Sequence, residues 1–275
     1  TTTGKEDNKF GIDADRIPAL FDTWAGHPGA RLVGLHAHIG SPVPQSEPYV
    51  ESVEVLLRLI DDLEVRGHRI EALDLGGGWP VPYGDQEVAP IEQTAALLVP
   101  LLLPRVERGL KVMIEPGRSI LANSGVLLSR VQHVKRGRAK TFVIGDAGMQ
   151  TLIRPALYRA FHFLWPVAWS GPEPARAVDP GVAGLEPCDV VGPICETGDF
   201  FARGRQLPRP ERGDPLAVFS AAPHGLSTAT VIHERQTLAA LFEPERGSRS
   251  LSFEPRHLGI RSLEPQPLAT SEAQR

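Results

Sequence analysis

The sequence of 275 residues has few cysteines and no long hydrophobic run. Its two cysteines, Cys188 and Cys195, are too few for a disulfide scaffold and are typical of a reducing compartment, so we expect a cytoplasmic protein. The longest apolar stretch, residues 95–103, is interrupted by Pro100 and falls short of the roughly 18 residues that a membrane span needs. The formal charge of −4 argues against the positive field of proteins that bind nucleic acid or anionic membranes.

The first 120 residues alternate between predicted strands and predicted helices. Apolar strands are predicted over residues 31–40, 70–75 and 111–114. Helices are predicted around residues 53–63, ending at Gly67, and over residues 91–106, where Pro100 should kink or divide the helix. This alternation predicts a parallel sheet, either doubly wound or a (β/α)8 barrel, in which the site lies at the carboxyl ends of the strands. Because only three strand–helix units are present, a barrel would lack its first half.

The character of the sequence changes near residue 119. Short, β-branched segments separated by Gly and Pro predict an antiparallel β domain; they lie at residues 126–134, 141–144, 188–191 and 216–220. We therefore expect a partial barrel over residues 1–120 and a β domain over residues 121–242. The remaining residues, 243–275, are rich in Arg, Pro, Ser and Glu and are predicted to be poorly ordered.

All three predicted strand ends carry groups that suit an anion. Gly76, Gly77 and Gly78 follow the second strand, and backbone amides without a Cβ can close around a phosphate, although an ordinary tight turn is the simpler interpretation. Ser41 and Arg118 follow the first and third strands, where they would add a hydroxyl and a planar charged fork.

Acidic and imidazole side chains also lie at these strand ends. Glu115 ends an apolar strand, and a salt bridge to Arg118 is the simpler interpretation of its environment. The alternative is a carboxylate that keeps a heteroaromatic ring nitrogen protonated, as pyridoxal phosphate enzymes require. His36 and His38 face the same side of a strand, but no third metal ligand is evident, so we predict no metal site.

Two further segments of the predicted β domain carry reactive groups. Residues 192–199 place Cys195 and Glu196 in a turn, although a free cysteine is more often a small buried apolar residue. Arg154 and Tyr158 are four residues apart and would either bind a carboxylate or form a surface helical turn.

Several motifs occur in a specific order, and together they resemble the fold-type III pyridoxal phosphate-dependent decarboxylases. They are TGKEDNKFG (3–11), GLHAHIGS (34–41), LDLGGG (73–78), EPGRSI (115–120), GDAGM (145–149), LIRPALY (152–158) and VGPICETGDF (191–200). The last two resemble the diaminopimelate branch of the family. The resemblance implies an alanine-racemase-like (β/α)8 barrel followed by a β domain, a homodimer with shared active sites, and decarboxylation of meso-2,6-diaminopimelate to L-lysine.

The resemblance also implies roles for individual residues. His38 would stack on the pyridoxal 5'-phosphate ring and Glu115 would pair with its nitrogen, while the phosphate would lie against Ser41, Gly76, Gly77 and Gly78. The substrate carboxylate would bind Arg118, Arg154 and Tyr158. In the partner subunit's site, Cys195 would lie near the reacting carbon and Glu196 at the distal amino group.

Two departures from the family pattern affect the expected activity. The lysine that attaches the cofactor in this family lies upstream of the matching motifs, and none of the five lysines here falls in such a motif, so we expect this chain alone to be inactive and poorly behaved. In addition, the family's Gly-Ala-Tyr-Gly is replaced by residues 222–225, Ala-Pro-His-Gly, where His224 would take the place of the tyrosine as a hydrogen-bond donor.

These departures leave two alternatives to the diaminopimelate reaction. One is a relative that decarboxylates another amino acid, such as ornithine or carboxynorspermidine. The other is a non-catalytic homologue that dimerises with an active paralogue.

Overall fold

The computed structural model describes residues 9–222 and a short strand at residues 240–241, and it contains two β-sheets. The first sheet has three parallel strands, β1 (Gly34–His36), β2 (Ala72–Asp74) and β3 (Lys111–Met113), in that order. The chain enters through α1 (Ile17–Trp24), and α2 (Glu47–Val65) and α3 (Ile91–Val106) form the two crossovers. The predicted strand–helix alternation is confirmed, although β1 is shorter than the predicted segment 31–40.

Helix α2 forms because its apolar residues recur at three- and four-residue steps. Val53, Leu56, Ile60 and Leu63 are all buried on one face. The helix ends where predicted, since Gly67 has a φ of +89° and lets the backbone N–H groups of residues 67 and 68 donate to the carbonyl oxygens of residues 64 and 63. This is the Schellman arrangement, which a residue with a Cβ adopts at a cost.

Of the two predicted effects of Pro100, a kink or a division of the second helix, the division is wrong, because α3 is one continuous helix. Pro100 and Pro104 both lie on its exposed side, where the carbonyl oxygens they leave unbonded can reach water. Near its end, Arg105 forms ion pairs with Asp61 and with Glu64 (Nη1 to Oε2, 2.8 Å), both from α2. These contacts fasten the end of α3 to the neighbouring helix.

The second sheet lies after the short helix α4 (Gly117–Leu121). Its elements, in chain order, are β4 (Gly125–Arg136), β5 (Thr141–Gly145), the short helix α5 (Arg154–Tyr158), β6 (Leu164–Pro166), β7 (Glu186–Val191), β8 (Phe200–Leu207), β9 (Pro215–Val218) and β10 (Ala240–Leu241). The strand order in this sheet is β6–β9–β4–β5–β7–β8, and β10 pairs with β4.

The pairing of the second sheet departs in one place from the antiparallel prediction. Five of its six strand pairs are antiparallel, but β5 and β7 are parallel. The connection between those two strands contains α5 and β6, and it is long enough for the crossover that a parallel pair needs. The sheet is therefore mixed.

Each sheet has its own buried apolar cluster, and a third, small cluster lies between them. Val81 and Tyr83, from the segment between β2 and α3, pack with Ala122 and with the half-buried Phe161, which precedes β6. Through this contact the loop after β2 packs against the segment that leads into the second sheet. The division into domains at residues 120 and 121 remains a prediction, and the tail at 243–275 lies outside the described residues. In the part of the chain that the structure describes, no helix is long and apolar enough to cross a membrane.

Candidate active site

Side chains from the carboxyl ends of the three parallel strands converge at one edge of the first sheet. His36 ends β1, Asp74 ends β2 and Glu115 follows β3, and their ligand atoms all lie within 4.8 Å of one another. The sequence alone did not indicate a third metal ligand beside the two histidines, whereas in the structure two carboxylates lie next to His36. It is His36, and not His38, that joins them.

Glu115 lies between two imidazoles and does not pair with Arg118. Its Oε2 is 3.6 Å from Nε2 of His36 and 3.7 Å from Nδ1 of His38. The salt bridge to Arg118 is a wrong interpretation, because the guanidinium of Arg118 donates instead to the hydroxyls of Tyr83 (2.7 Å) and Ser41 (2.8 Å). The chain turns into α4 at Gly117, directly between the two residues, and so separates their side chains.

The three glycines after β2 allow close approach of the neighbouring strand ends. Gly76 and Gly78 have φ values of +67° and +90°, and a Cβ on either would overlap a backbone carbonyl oxygen of residues 37–40. Two of the three amides are already used: Gly76 donates to Asp74 (2.9 Å) and Gly77 donates to Nδ1 of His38 (3.0 Å). Within the described residues only the Gly78 amide has no acceptor, so the expected cradle is reduced to one amide together with Ser41 and Arg118.

Two arginines from different parts of the fold meet on one tyrosine. Arg118 donates to the Tyr83 hydroxyl, and the guanidinium carbon of Arg154, from α5, lies 4.5 Å from the centre of the Tyr83 ring. Arg154 is buried, and burial lowers the pKa of its guanidinium. In the described part of the chain, neither arginine has an acidic partner. Such a pair of unneutralised cations suits an anionic ligand.

His162 fixes the orientation of Arg154. The imidazole is fully buried, with Nδ1 2.9 Å from the carbonyl oxygen of Phe219 and Nε2 2.8 Å from Nη1 of Arg154. A carbonyl oxygen only accepts, so Nδ1 carries the proton and Nε2 accepts from Arg154. His162 is therefore neutral and adds no charge to the arginine pair. A second buried arginine, Arg205, donates to the His162 carbonyl oxygen, and burial lowers its pKa to about 10.

The turn between β7 and β8 holds Cys195 and Glu196 at the surface. Both are exposed, so the interpretation of Cys195 as a buried apolar residue is wrong. The Gly198 amide and the Thr197 hydroxyl donate to Glu196 and lower the pKa of its carboxyl. The buried Asp199 anchors the turn, because its carboxylate accepts from the amides of Met149 (2.6 Å) and Ile194 (2.8 Å). The Asp199 carboxylate therefore connects the turn to the segment that follows β5.

The remaining predicted residues are distributed unevenly. Tyr158 ends α5 and is exposed, whereas Arg154 at the start of the same helix is buried. His224 lies outside the described residues. The loops that follow β1, β2 and β3 contain no lysine, and Lys111 begins β3 at the end opposite Glu115.

Sequence reasoning missed three residues that shape the site: Tyr83, His162 and Asp199. Tyr83 stands in the Trp-Pro-Val-Pro-Tyr-Gly segment, whose turn residues indicated only a loop. The one signal in the sequence was an aromatic residue among turn-forming residues, where the local pattern does not indicate what its ring packs against. His162 and Asp199 make contacts with residues far away in the sequence, which periodicity does not report.

Comparison with known proteins places these observations in a family. A family model described as the pyridoxal-dependent decarboxylase C-terminal sheet domain matches residues 14–222. The chain is 37% identical over 249 residues to the diaminopimelate decarboxylase of Aquifex aeolicus, with 90% of this chain and 56% of the relative covered. It is 43% identical over 225 residues to that of Pseudomonas aeruginosa, with 82% and 50% covered. The chain thus spans about half the length of the curated relatives it matches.

Solved structures give the same result for the fold. The crystal structure of a Helicobacter pylori diaminopimelate decarboxylase mutant complexed with L-lysine matches with a TM-score of 0.76 and 32% identity, covering 86% of this chain and 56% of that one. A lysine/ornithine decarboxylase from Vibrio vulnificus matches at 24% identity and is similar in fold alone. The predicted fold class, the C-terminal part of an alanine-racemase-like barrel followed by a β domain, is confirmed. The chain belongs to the pyridoxal-dependent decarboxylase family.

Proposed function

We propose that this chain is part of a longer protein that decarboxylates meso-2,6-diaminopimelate to L-lysine and CO2 with pyridoxal 5'-phosphate, in the cytoplasm. The observation that carries the proposal is the pair Arg118 and Arg154, two cations that meet on Tyr83 without an acidic partner among the described residues. A carboxylate is the ligand that would neutralise them. The names of the relatives and the L-lysine in the H. pylori structure support an amino acid as the source of that carboxylate.

The residues at the strand ends fit the cofactor. Arg118 also donates to Ser41, and its Nε is buried with no acceptor among the described residues, which suits a phosphate beside Ser41 and the Gly78 amide. Glu115 lies between imidazoles and half exposed, so a ring nitrogen can approach its carboxylate. When bound, pyridoxal phosphate supplies the electron sink for loss of CO2. In this proposal Glu115 holds a proton on the ring nitrogen and His38 provides the stacking surface.

The substrate-side groups come from two subunits of a homodimer. Arg118 and Arg154 bind the carboxylate that L-lysine retains, with Tyr158 at the exposed end of α5. Cys195 and Glu196 project from a turn whose hydrogen bonds stay within the β domain, which supports their action on the partner's site. There the Cys195 thiol delivers a proton to the carbon that has lost CO2, and the charged Glu196 binds the distal ammonium.

The experiment is to produce the full-length protein from its gene, load it with pyridoxal phosphate, and measure CO2 and L-lysine formed from meso-diaminopimelate. We expect equal amounts of both products, and much slower release of CO2 from ornithine or carboxynorspermidine. A protein that binds the cofactor but prefers ornithine contradicts the substrate assignment. A protein that processes none of the three substrates alone, yet forms a dimer with an active paralogue, supports the non-catalytic alternative.

A further inference from the structure

Tyr83 occupies a fixed position between the two sheets. Its ring is 6% exposed and packs with Val81, Ala122 and Phe161. The next residue, Gly84, approaches Phe161 so closely that a Cβ there would lie 2.7 Å from the Phe161 ring atom Cε1. The loop after β2 is therefore seated against the segment that leads into β6, and the Tyr83 ring has little room to move.

The Tyr83 side chain contacts both arginines. The hydroxyl accepts a 2.7 Å hydrogen bond from Nη1 of Arg118, and the guanidinium carbons of Arg154 and Arg118 lie 4.5 Å and 5.7 Å from the centre of the ring. The ring edge also meets His162, the residue that accepts from Arg154, with ring centroids 5.2 Å apart. Because the hydroxyl oxygen and the ring face both carry partial negative charge, Tyr83 offsets the repulsion between two cations.

We infer that Tyr83 is a positioning residue that holds Arg118 and Arg154 together as one carboxylate clamp. Arg118 comes from the barrel side, after β3, and Arg154 from the β domain, after β5. In the described part of the chain no acidic side chain draws the two guanidinium groups together, so the tyrosine is the group they share. The inference rests on the proposed function, because it assumes that the clamp binds the carboxylate of an amino acid.

A simple packing role predicts a different outcome from a positioning role. If Tyr83 only fills space, then Tyr83→Phe, which keeps the ring and loses the hydroxyl, should behave as the wild type. If Tyr83 positions both arginines, Tyr83→Phe should remove the hydrogen bond to Arg118, and Tyr83→Leu should also remove the ring that both guanidinium groups face. The two variants therefore separate the contribution of the hydroxyl from that of the ring.

The test measures ligand binding to the full-length holoenzyme by calorimetry, with L-lysine and with 1,5-diaminopentane. The second ligand lacks the carboxylate and reports everything except the clamp. With pyridoxal phosphate kept saturating, we expect Tyr83→Phe to raise the Kd of L-lysine and the KM of diaminopimelate about 5- to 20-fold, with kcat within about twofold and the Kd of 1,5-diaminopentane unchanged. Tyr83→Leu should weaken L-lysine binding by roughly another tenfold.

Phe21→Leu is the matched control, since Phe21 is an equally buried ring that packs against α2, away from both arginines. This control should change thermal stability but neither ligand's Kd. If the Tyr83→Phe protein binds L-lysine as tightly as the wild type, the inference is wrong, and this variant suffices even if Tyr83→Leu does not fold. If both ligands weaken equally, Tyr83 acts through general packing and the inference is again wrong. Failure of the wild type to bind L-lysine overturns the proposed function itself, and the inference with it.

Discussion

Replacing Asp199 with asparagine should loosen the turn that presents Cys195 and Glu196. The Asp199 carboxylate is buried and accepts hydrogen bonds from the amides of Met149 (2.6 Å) and Ile194 (2.8 Å), one on each oxygen. An asparagine offers only one oxygen. Its NH2 group would then face a backbone N–H, so one hydrogen bond is lost and one buried donor is left without an acceptor.

The magnitude follows from these two contacts. A hydrogen bond to a charged group contributes about 1.5–3 kcal/mol, and the cost of the buried donor left unsatisfied overlaps largely with that loss. We therefore expect the local free energy of opening to fall by about 2–4 kcal/mol in total. The side chain cannot move away to relieve the mismatch, because Gly148 and Gly192 both pack directly against the carboxylate. A Cβ on either glycine would meet the Asp199 oxygens, so there is no spare volume.

The assay is hydrogen–deuterium exchange of the full-length protein, followed in peptides that cover residues 146–152 and 192–200. The expected loss corresponds to roughly 30- to 700-fold faster exchange of the protected amides. Glu196→Gln is the control, because Glu196 is exposed in the same turn and its removal leaves both Asp199 contacts intact. Exchange in the Asp199→Asn protein within threefold of the wild type would refute the assignment of Asp199 as the anchor.

Three further substitutions test other parts of the account. Glu115→Gln should lower kcat of the full-length enzyme at least about 100-fold with little change in melting temperature, since a neutral amide cannot hold a proton on the ring nitrogen. A near-normal kcat would show that Glu115 is only a neighbour of His36 and His38. Mixing inactive Glu115→Gln and Cys195→Ala proteins should restore up to roughly a quarter of wild-type activity if the sites are shared, because each heterodimer then has one intact site. No recovery despite demonstrated subunit exchange would show that Cys195 does not act in the partner subunit's site. Asp189→Asn should destabilise the protein by about 1 kcal/mol at pH 7. Burial alone raises the pKa of the Asp189 carboxyl, but hydrogen bonds from Lys140 and the Gly204 amide outweigh burial and lower the pKa. The stabilisation is therefore fully present at neutral pH and decreases as the pH falls below about 4, and a difference in melting temperature that does not shrink as the pH is lowered further would contradict this origin.

The parts of the fold that depend on local pattern could be predicted from the sequence. Helix α2 and its end at Gly67 follow from apolar spacing and a single glycine, and β2 and β3 lie within one or two residues of the predicted strands. Pro100 was misleading because the effect of a proline depends on which side of the helix it occupies. That side is set by packing against α2 and not by the sequence of α3 alone.

The arrangement of the site depended on contacts that local pattern does not contain. A spacing of three residues allowed Glu115 to pair with Arg118, but the turn into α4 directed them to different partners. Tyr83 and Arg154 are far apart in the sequence and meet only because the loop after β2 packs on the second sheet. Motifs therefore indicated the candidate site residues, whereas the contacts that orient them became visible only in the structure.

The most direct measurement of the central claim is a crystal structure of the full-length protein with pyridoxal phosphate and L-lysine bound. We expect the phosphate beside Ser41 and Gly78 and the ring nitrogen at Glu115. We expect Arg118 and Arg154 to bind the L-lysine carboxylate beside Tyr83. The claim would be contradicted by a carboxylate bound away from both arginines, or by a metal ion held by His36, Asp74 and Glu115 where the cofactor ring should lie.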